Sequence, residues 1–359
     1  MTDFNVSVSP HIRDNTNIPK IMYSVNLTLL PALIGSAYIF GFRALALTLV
    51  GIASAIATEW IIQKLRKVEI TAFDGSAILT GLLVAFNLPP GVPFWIPLIG
   101  SVFAIGIGKH PFGGLGYNPL NPALLGRAFL LASWPVHMTN DWLKPFWWKD
   151  AGFNFFSWKV VSGSTIVDTV SSATPLTVVK ESKDILANAS LYLPEKVNTA
   201  SQLIDKMFDS VDTLFFGNVG GCIGETSVVL LLLGATYLIY KRYIDWRIPI
   251  AYIVTVAIIG WMFGGKTGLF TGNMLFQIFS GGLILGAFFM ATDMVTTPLS
   301  RKGHVIFGIG CGLLTIVIRL VGGYPEGVSY SILLMNLTTP LIDKFTLPTK
   351  FGLVAKAVK

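Results

Sequence analysis

Residues 81–90 read GLLVAFNLPP, and residues 286–298 read GAFFMATDMVTTP. Each stretch begins with glycine, continues with large apolar residues, reaches a small polar residue and ends at proline. Proline removes a helical hydrogen bond and clashes with the preceding turn, so both stretches are typical of apolar helices that break. Because one lies in each half of the chain, they are the first indication of an internal repeat.

The composition around these stretches is that of an integral membrane protein. Hydrophobic residues make up 53% of the 359 residues and charged residues only 13%. A soluble domain would carry about twice this charged fraction. The apolar runs are long rather than alternating, which predicts an all-α protein. The net charge of +7 does not indicate nucleic acid, because its placement matters more than its sum in a membrane protein.

The hydropathy pattern predicts ten membrane spans. Several are shorter than the about 20 residues that cross a bilayer, so we expect tilt or partial crossing in those. The candidate spans lie near residues 23–42, 44–63, 74–90, 93–108, 121–135, 222–240, 247–263, 274–292, 304–321 and 328–342.

The positions of Lys and Arg predict the orientation in the inner or plasma membrane. If the N-terminus is cytoplasmic, the inside segments collect 15 of the 26 basic residues, whereas the short outside loops hold only Arg43 and Lys266. Cytoplasmic loops are enriched in these residues. Both termini are therefore predicted to be cytoplasmic, and the first twenty polar residues have no signal-peptide core. The long connection, 136–221, is predicted to be an extracytoplasmic structured loop, with Trp142, Trp147, Trp148 and Trp158 as interfacial anchors.

The two halves are predicted to be inverted repeats. Five spans per half is an odd number, so the second copy must be inverted, with any buried site near the broken segments. A second pair of Gly-rich, Pro-broken stretches, 113–122 and 322–340, supports the repeat. The predicted segments are a cytoplasmic tail (1–22), a five-helix half (23–135), the extracytoplasmic loop (136–221), a second five-helix half (222–343) and a cytoplasmic tail (344–359).

Ionisable residues in or beside the apolar segments are the next signal. A charge at the bilayer centre costs at least about 2.5–3.5 kcal/mol, so each needs a partner or a water-filled cavity. Asp74 and Glu225 lie where spans begin, and a helix N-terminus favours an acid. Glu59 lies close enough to the inner end of its span to reach the interface. Asp293 and Arg319 remain candidates for an ion or proton path, and Arg127 also falls within a span.

Two features that suggest cofactor binding are better explained otherwise. GWMFGGKT (260–267) matches the P-loop pattern, but a P-loop requires a preceding strand, and here a predicted membrane helix precedes. Lys266 is therefore interpreted as an interfacial cation. Cys222 and Cys311 lie in separate apolar segments and cannot supply the four ligands of an ordinary iron–sulfur cluster, so both are interpreted as packing residues. No metal site is predicted.

Two polar motifs are ambiguous on spacing alone. Asn118 and Asn121 can offer amide groups to a planar heterocycle in a cavity, or Asn121 can simply cap the helix that begins near Pro122, and spacing favours the cap. DTVSSAT (168–174), followed by proline, is typical of a turn in the long loop.

Several stretches, in order along nearly the whole chain, resemble one family. The family contains the D subunit of the Rnf complex and the B subunit of sodium-pumping NADH:quinone reductase. The B subunit usually has a longer N-terminal extension, so the short one here favours the D-type member. The stretches are DGSAILTGLLVAFNLPP (74–90), GGLGYNPLNPALLGRA (113–128), GCIGETSVVLLLLG (221–234), MATDMVTTP (290–298) and GGYPEGVSYSILLMNLTTPLID (322–343).

The resemblance gives DTVSSAT a specific meaning. In that family, D-x-x-[ST]-[GSA]-A-T is the target of a flavin transferase, which joins FMN from FAD to the last Thr hydroxyl as a phosphoester. Asp168, Ser171, Ser172, Ala173 and Thr174 match this motif, with Ser172 where glycine is common. The resemblance therefore implies covalent FMN on Thr174.

The resemblance also implies a fold like that of urea transporters and a non-covalent riboflavin among the helices. Asn118, Asn121 and Asp293 are the candidates for its surroundings. The chain is then expected to be an electron-transfer subunit that works with membrane and flavin or iron–sulfur subunits. The whole complex passes electrons between ferredoxin and NAD and moves sodium or protons; which ion moves is left open. The chain itself offers no catalytic acid, base or nucleophile.

A solute permease or channel on the same inverted repeat is the alternative from another class, since fold does not fix function. A permease would have no use for the flavin-transferase motif. Bound flavin therefore discriminates between the two hypotheses.

Overall fold

A computed structural model describes residues 16–147, 174–225, 227–266, 268–323 and 326–346. Within these ranges the chain forms helices and no β-strand. The helices are α1 (Ile18–Phe40), α2 (Phe42–Arg66), α3 (Ser76–Phe86), α4 (Trp95–Gly106), α5 (Pro122–Ser133), α6 (Pro135–Asn140), α7 (Pro175–Ala187), α8 (Pro194–Asp209), α9 (Val211–Phe216), α10 (Val228–Tyr240), α11 (Arg247–Phe263), α12 (Met274–Phe279), α13 (Leu283–Leu285), α14 (Arg301–Val321) and α15 (Val328–Thr346).

Three of these helices, α1, α2 and α14, are long and apolar enough to cross a membrane. Shorter apolar helices, α3, α5, α10 and α11, pack among them. The all-α membrane class predicted from composition is therefore confirmed. Helical residues occur in each of the ten predicted segments, although the segment 274–292 is divided into α12, α13 and a π-helical turn at Gly286–Met290.

The two stretches that end in proline form the ends of broken helices. Helix α3 ends at Phe86, where Asn87 Nδ2 donates back to Leu83 O at 2.6 Å and two prolines follow. In the second half, α13 passes into the π turn, a rare helical form that recurs at functional sites. The two ends meet, because Asn87 Nδ2 also approaches Met290 Sδ at 3.7 Å.

Buried arginines satisfy backbone carbonyls near both broken helices. Arg43 donates to the carbonyls of Pro90, at 3.0 Å, and Val92, at 2.7 Å. Arg319 donates to Gln277 O at 2.7 Å and Ser280 O at 3.0 Å. Broken helices are tolerated at membrane depth only when such groups are paired again. Arg319, a sequence candidate for an ion path, thus has a structural role.

Glycines bring the helices into close contact. A Cβ at Gly81 of α3 would lie 2.5 Å from Gly51 O of α2, and one at Gly126 of α5 would lie 2.8 Å from Gly100 O of α4. Small residues at such crossings are typical of membrane helices, because van der Waals packing drives their association. The glycines therefore fix the position of α3 and α5.

The two halves pack into one apolar core, with α1 against α10 and α5 against α15. Residues 174–216 form helices α7 to α9, which pack on the core through a smaller cluster of Leu176, Val179, Leu214 and Phe276. Trp142 and Trp147 are buried, at 7% and 2% exposure, so the prediction that they are interfacial anchors is wrong. Trp148 and Trp158 lie outside the described residues.

Candidate functional site

The three residues predicted to surround riboflavin line a single cavity of about 110 Å³. Its walls come from α1, α3, the start of α5, the π turn and the connection to α14. We call it the Asn121 cavity; its lining includes Ile21, Thr80, Asn118, Asn121, Phe288 and Asp293.

Asn121 is both a helix cap and a link between the halves. Its Oδ1 accepts hydrogen bonds from Ala123 N at 3.0 Å and Leu124 N at 3.3 Å, which satisfies donors at the start of α5. Its Nδ2 donates to Met290 O at 3.3 Å, at the end of the π turn. The prediction that Asn121 caps the helix beginning near Pro122 is therefore confirmed, and the residue also lines a cavity.

Asn118 and Asp293 are two further polar residues that line this cavity. Asn118 is 4% exposed, and its Nδ2 donates to Leu120 O at 3.0 Å. Asp293 Oδ1 accepts a hydrogen bond from Val295 N at 3.3 Å. An amide oxygen and a carboxylate therefore face one cavity, where they can accept hydrogen bonds from a polar heterocycle.

A buried ion pair at the edge of this cavity was not recognised from the sequence. Lys109, which lines the cavity, donates to Glu59 at 2.7 and 2.8 Å and to Ser76 Oγ at 2.7 Å. Glu59 is 1% exposed, so the expectation that it reaches the interface is wrong. Burial of a charge is costly unless it is paired, and this pair is nearly saturated with hydrogen bonds.

Thr174 is the N-cap residue of α7. Its Oγ1 accepts a hydrogen bond from Thr177 N at 3.3 Å and lies 2.8 Å from Thr177 Oγ1. Pro175 follows at the first helical position, where its missing N–H costs nothing. The hydroxyl therefore stands at the positive end of the helix dipole. The other motif residues, Asp168, Ser171, Ser172 and Ala173, lie outside the described residues.

Beside Thr177 lies a second cavity of about 290 Å³, which we call the cap cavity. Its position was not predicted from the sequence, because its walls come from α5, α6, α7 and the start of α15. The lining includes Arg127, Met138, Trp142, Thr177, Glu326 and Tyr330.

Two lysines hold α7 in place beside this cavity. Lys180 donates to the carbonyl of Gly322, and Lys183 to that of Gly264. Burial lowers the pKa of Lys183. In the P-loop-like stretch, Lys266 forms an ion pair with Asp205 of α8.

The described residues therefore define a helical membrane protein in which two broken helices meet beside the Asn121 cavity. The model of the NQR2, RnfD, RnfE family matches residues 5–352. The chain therefore belongs to this family, as the sequence resemblance predicted.

Curated relatives match the chain over nearly its whole length. One is the D subunit of the proton-translocating ferredoxin:NAD(+) oxidoreductase complex of Clostridium ljungdahlii, 49% identical over 97% of this chain and 96% of the relative. Another is the D subunit of the Na(+)-translocating ferredoxin:NAD(+) oxidoreductase complex of Acetobacterium woodii, 46% identical over 98% and 96%. A third is the D subunit of the ion-translocating oxidoreductase complex of Stutzerimonas stutzeri, 39% identical over 94% and 93%.

Proposed function

We propose that this chain is a membrane electron-transfer subunit of an Rnf-type ferredoxin:NAD oxidoreductase complex, in which electron flow drives ion translocation. Two relatives named as D subunits match 97% and 98% of this chain, which favours this function over that of the quinone-reductase B subunit. Its partners are then the other membrane subunits and the flavin or iron–sulfur subunits of the complex. Lipid surrounds the apolar helices.

The proposed covalent cofactor is FMN, attached to Thr174. One observation carries this proposal: the Thr174 hydroxyl lies at the start of α7. It is hydrogen-bonded to the side chain of Thr177, and Thr177 lines the cap cavity. A phosphoester places negative charge at this hydroxyl, and a helix N-terminus stabilises such charge through its free N–H groups. Because Thr174 is only 4% exposed, the flavin transferase must reach it before α7 docks.

The proposed non-covalent cofactor is riboflavin in the Asn121 cavity. Asn118, Asn121 and Asp293 supply the polar groups, while Phe288 and the aliphatic lining supply an apolar wall. This mixture is what ligand pockets for planar heterocycles offer. A bound flavin accepts or donates one or two electrons; the protein supplies position, polarity and exclusion of water.

The proposed topology is that of two inverted five-helix halves, similar to urea transporters. In the first half α2 packs against α3 and α4, and in the second α11 packs against α12 and α14. Arg43 and Arg319 bind carbonyls beside the broken helix of their own half, which is consistent with a repeat. Both termini are proposed to be cytoplasmic and residues 136–221 extracytoplasmic, where the flavin transferase would act.

In-gel fluorescence of the denatured chain, co-expressed with a flavin transferase, tests the proposal. Denaturation removes non-covalent flavin, so a fluorescent wild-type band reports a covalent one. Thr174→Asn keeps a good N-cap but has no hydroxyl, so the band should go dark. Thr177→Val removes the neighbouring hydroxyl and should stay fluorescent.

Each other outcome has a definite meaning. A fluorescent Thr174→Asn band would show that FMN is attached to a residue other than Thr174. A dark wild-type band beside an active transferase would contradict the covalent cofactor, and solute uptake by the chain in proteoliposomes would then test the permease alternative.

A further inference from the structure

Helices α11 and α14 begin side by side at one end of the second half. The two helices are in close contact, since a Cβ at Gly308 of α14 would lie 2.7 Å from Ile248 O of α11. Asp245 joins their starts, because its carboxylate lies 2.9 Å from Arg247 Nη1 and 3.2 Å from His304 Nδ1. The segment before α11 and the segment before α14 therefore meet.

The end of α15 packs beside these two starts. Leu299 N donates to Asp343 Oδ1 at 2.9 Å, and Ser300 Oγ donates to Thr346 Oγ1 at 2.6 Å. The segments 240–247, 299–304 and 343–346 thus lie together, although they are far apart in the sequence. They carry six Lys and Arg against two Asp, a surplus of four positive charges.

Five of the six cations have no acidic partner in the part of the chain that the structure describes. Both aspartates of the three segments are bonded to other groups. The five cations are exposed and form no ion pair with a described carboxylate; we call them the basic surface, and they are Lys241, Arg242, Arg301, Lys302 and Lys344.

Cations near helix ends of the first half are used within the protein. Arg66, at the end of α2, donates to His110 O at 2.8 Å. Lys109, which follows α4, forms its ion pair with Glu59. The basic surface differs from these, because its positive charge is not neutralised by described groups of the chain.

Neither helix stability nor membrane orientation accounts for the basic surface. Arg301 and Lys302 occupy the first turn of α14, where the helix dipole disfavours cations. Orientation depends on the number of Lys and Arg in a loop. It does not require the fold to bring five of them together from three segments. An anionic partner outside the chain does account for this arrangement.

Apolar side chains extend from the basic surface along the neighbouring helices. Tyr240, Trp246 and Phe345 are exposed within the same three segments, and Lys241 Nζ lies 6.0 Å from the centre of the Tyr240 ring. Tyr and Trp are enriched where a membrane meets water. Beyond them, α11 and α14 expose aliphatic side chains, namely Ile250, Val254 and Ile258 on α11 and Ile306, Ile309 and Leu313 on α14.

We propose that the basic surface binds the headgroup of an anionic phospholipid whose acyl chains lie along α11 and α14. Lys and Arg form charge-assisted hydrogen bonds with phosphate, and Arg can form two in parallel. An acidic protein partner would neutralise the cations but would leave the aliphatic side chains beside them uncovered. The inference goes beyond electron transfer and depends on neither flavin.

Native mass spectrometry of the 359-residue chain in detergent tests the proposal. The chain is titrated with phosphatidylglycerol or phosphatidylcholine that carry the same acyl chains. We expect the wild type to bind phosphatidylglycerol at least about tenfold more tightly, because only this headgroup has a net negative charge and each nearby cation contributes about fivefold.

A charge-removal variant and a matched control locate the site. Lys241→Gln/Arg301→Gln/Lys302→Gln removes three cations of the basic surface and should lose the preference for phosphatidylglycerol, with unchanged affinity for phosphatidylcholine. Lys67→Gln/Lys196→Gln/Lys206→Gln removes three exposed cations elsewhere and should keep the preference. Glycerol 3-phosphate, which carries the phosphate without acyl chains, should not displace the lipid.

Several results would overturn the proposal. Equal affinity of the wild type for the two lipids would do so, and so would displacement by glycerol 3-phosphate at equal concentration. A basic-surface variant that keeps its lipid preference but no longer assembles with other subunits would identify a protein interface instead. Should this variant not purify, Arg301→Gln alone must lower the affinity for phosphatidylglycerol about fivefold. An unchanged affinity there would equally contradict the proposal.

Discussion

The starts of α5 and α7 use the same local chemistry. Asn121 precedes Pro122, and Thr174 precedes Pro175. In both places the side chain of the cap residue accepts hydrogen bonds from N–H groups of the first turn, and proline occupies the first helical position. Both helix starts adjoin a cavity, and both are proposed flavin sites.

What differs is how far each cap residue reaches. Asn121 also donates to Met290 O, across the contact between the two halves, whereas the described hydrogen bonds of Thr174 reach only residues of α7. A cavity assembled from several elements can hold a heterocycle by non-covalent contacts. At Thr174 we propose that a covalent bond holds the flavin, because the described hydrogen bonds of this hydroxyl are local to α7.

The sharpest test of this difference is Thr174→Asn, for which we expect complete loss of covalent flavin. The amide oxygen of Asn can cap α7 as the hydroxyl does, so the free energy of unfolding should change by only a few tenths of a kcal/mol. Denaturing-gel fluorescence and a thermal melt of the same preparation measure the two effects. Non-covalent flavin should be retained in full; its loss together with the covalent flavin would show that the two sites are not independent.

Gly126→Ala should disturb the Asn121 cavity and spare the covalent site. The new Cβ would lie 2.8 Å from Gly100 O and force α5 away from α4, at a cost of about 1–3 kcal/mol for overpacking. We expect a lower melting temperature and less non-covalent flavin, released by denaturation and quantified by chromatography, with unchanged gel fluorescence. Gly106→Ala is the control, because its Cβ would meet nothing closer than 3.9 Å. Equal melting temperatures for the two variants would show that the close contact is not limiting.

Asn121→Ala and Asn121→Ser separate the two functions of Asn121. Alanine removes both the cap and the bond to Met290 O, whereas serine can still cap α5. We expect alanine to lower the free energy of unfolding by about 1 kcal/mol and serine by only a small fraction of this. Both should lower the non-covalent flavin content, because neither reaches Met290. Full flavin content in Asn121→Ser would mean that the link across the halves does not shape the cavity.

The sequence was sufficient for the features that depend on neighbouring residues. Long apolar runs predicted the all-α membrane class, and Asn121 before Pro122 predicted the start of α5. Each of these features depends on residues within one or two helical turns of each other. The residue types and their spacing in the sequence are therefore enough to predict it.

Pairs that are distant in sequence could not be recognised in the same way. Lys109 and Glu59 are 50 residues apart, and Arg127 and Glu326 are 199 apart. A single sequence shows that a buried charge needs a partner but not which residue supplies it. For that reason the sequence places Glu59 at the interface and gives no sign of the cap cavity.

Asp293→Asn should have the smallest effect of these substitutions. The amide oxygen of Asn can still accept the hydrogen bond from Val295 N, so the local turn is preserved and only the charge is lost. If Asp293 accepts a hydrogen bond from bound riboflavin, the change should weaken binding several-fold, which corresponds to about 1 kcal/mol. Non-covalent flavin per covalent flavin measures this, and ion uptake by reconstituted complex tests whether the carboxylate instead serves a cation. Unchanged flavin content together with unchanged ion uptake would remove Asp293 from both roles. Riboflavin binding in the Asn121 cavity would then rely on the amide groups of Asn118 and Asn121 and not on this carboxylate. The contrast with Thr174, where a hydroxyl is proposed to hold flavin covalently, would become sharper.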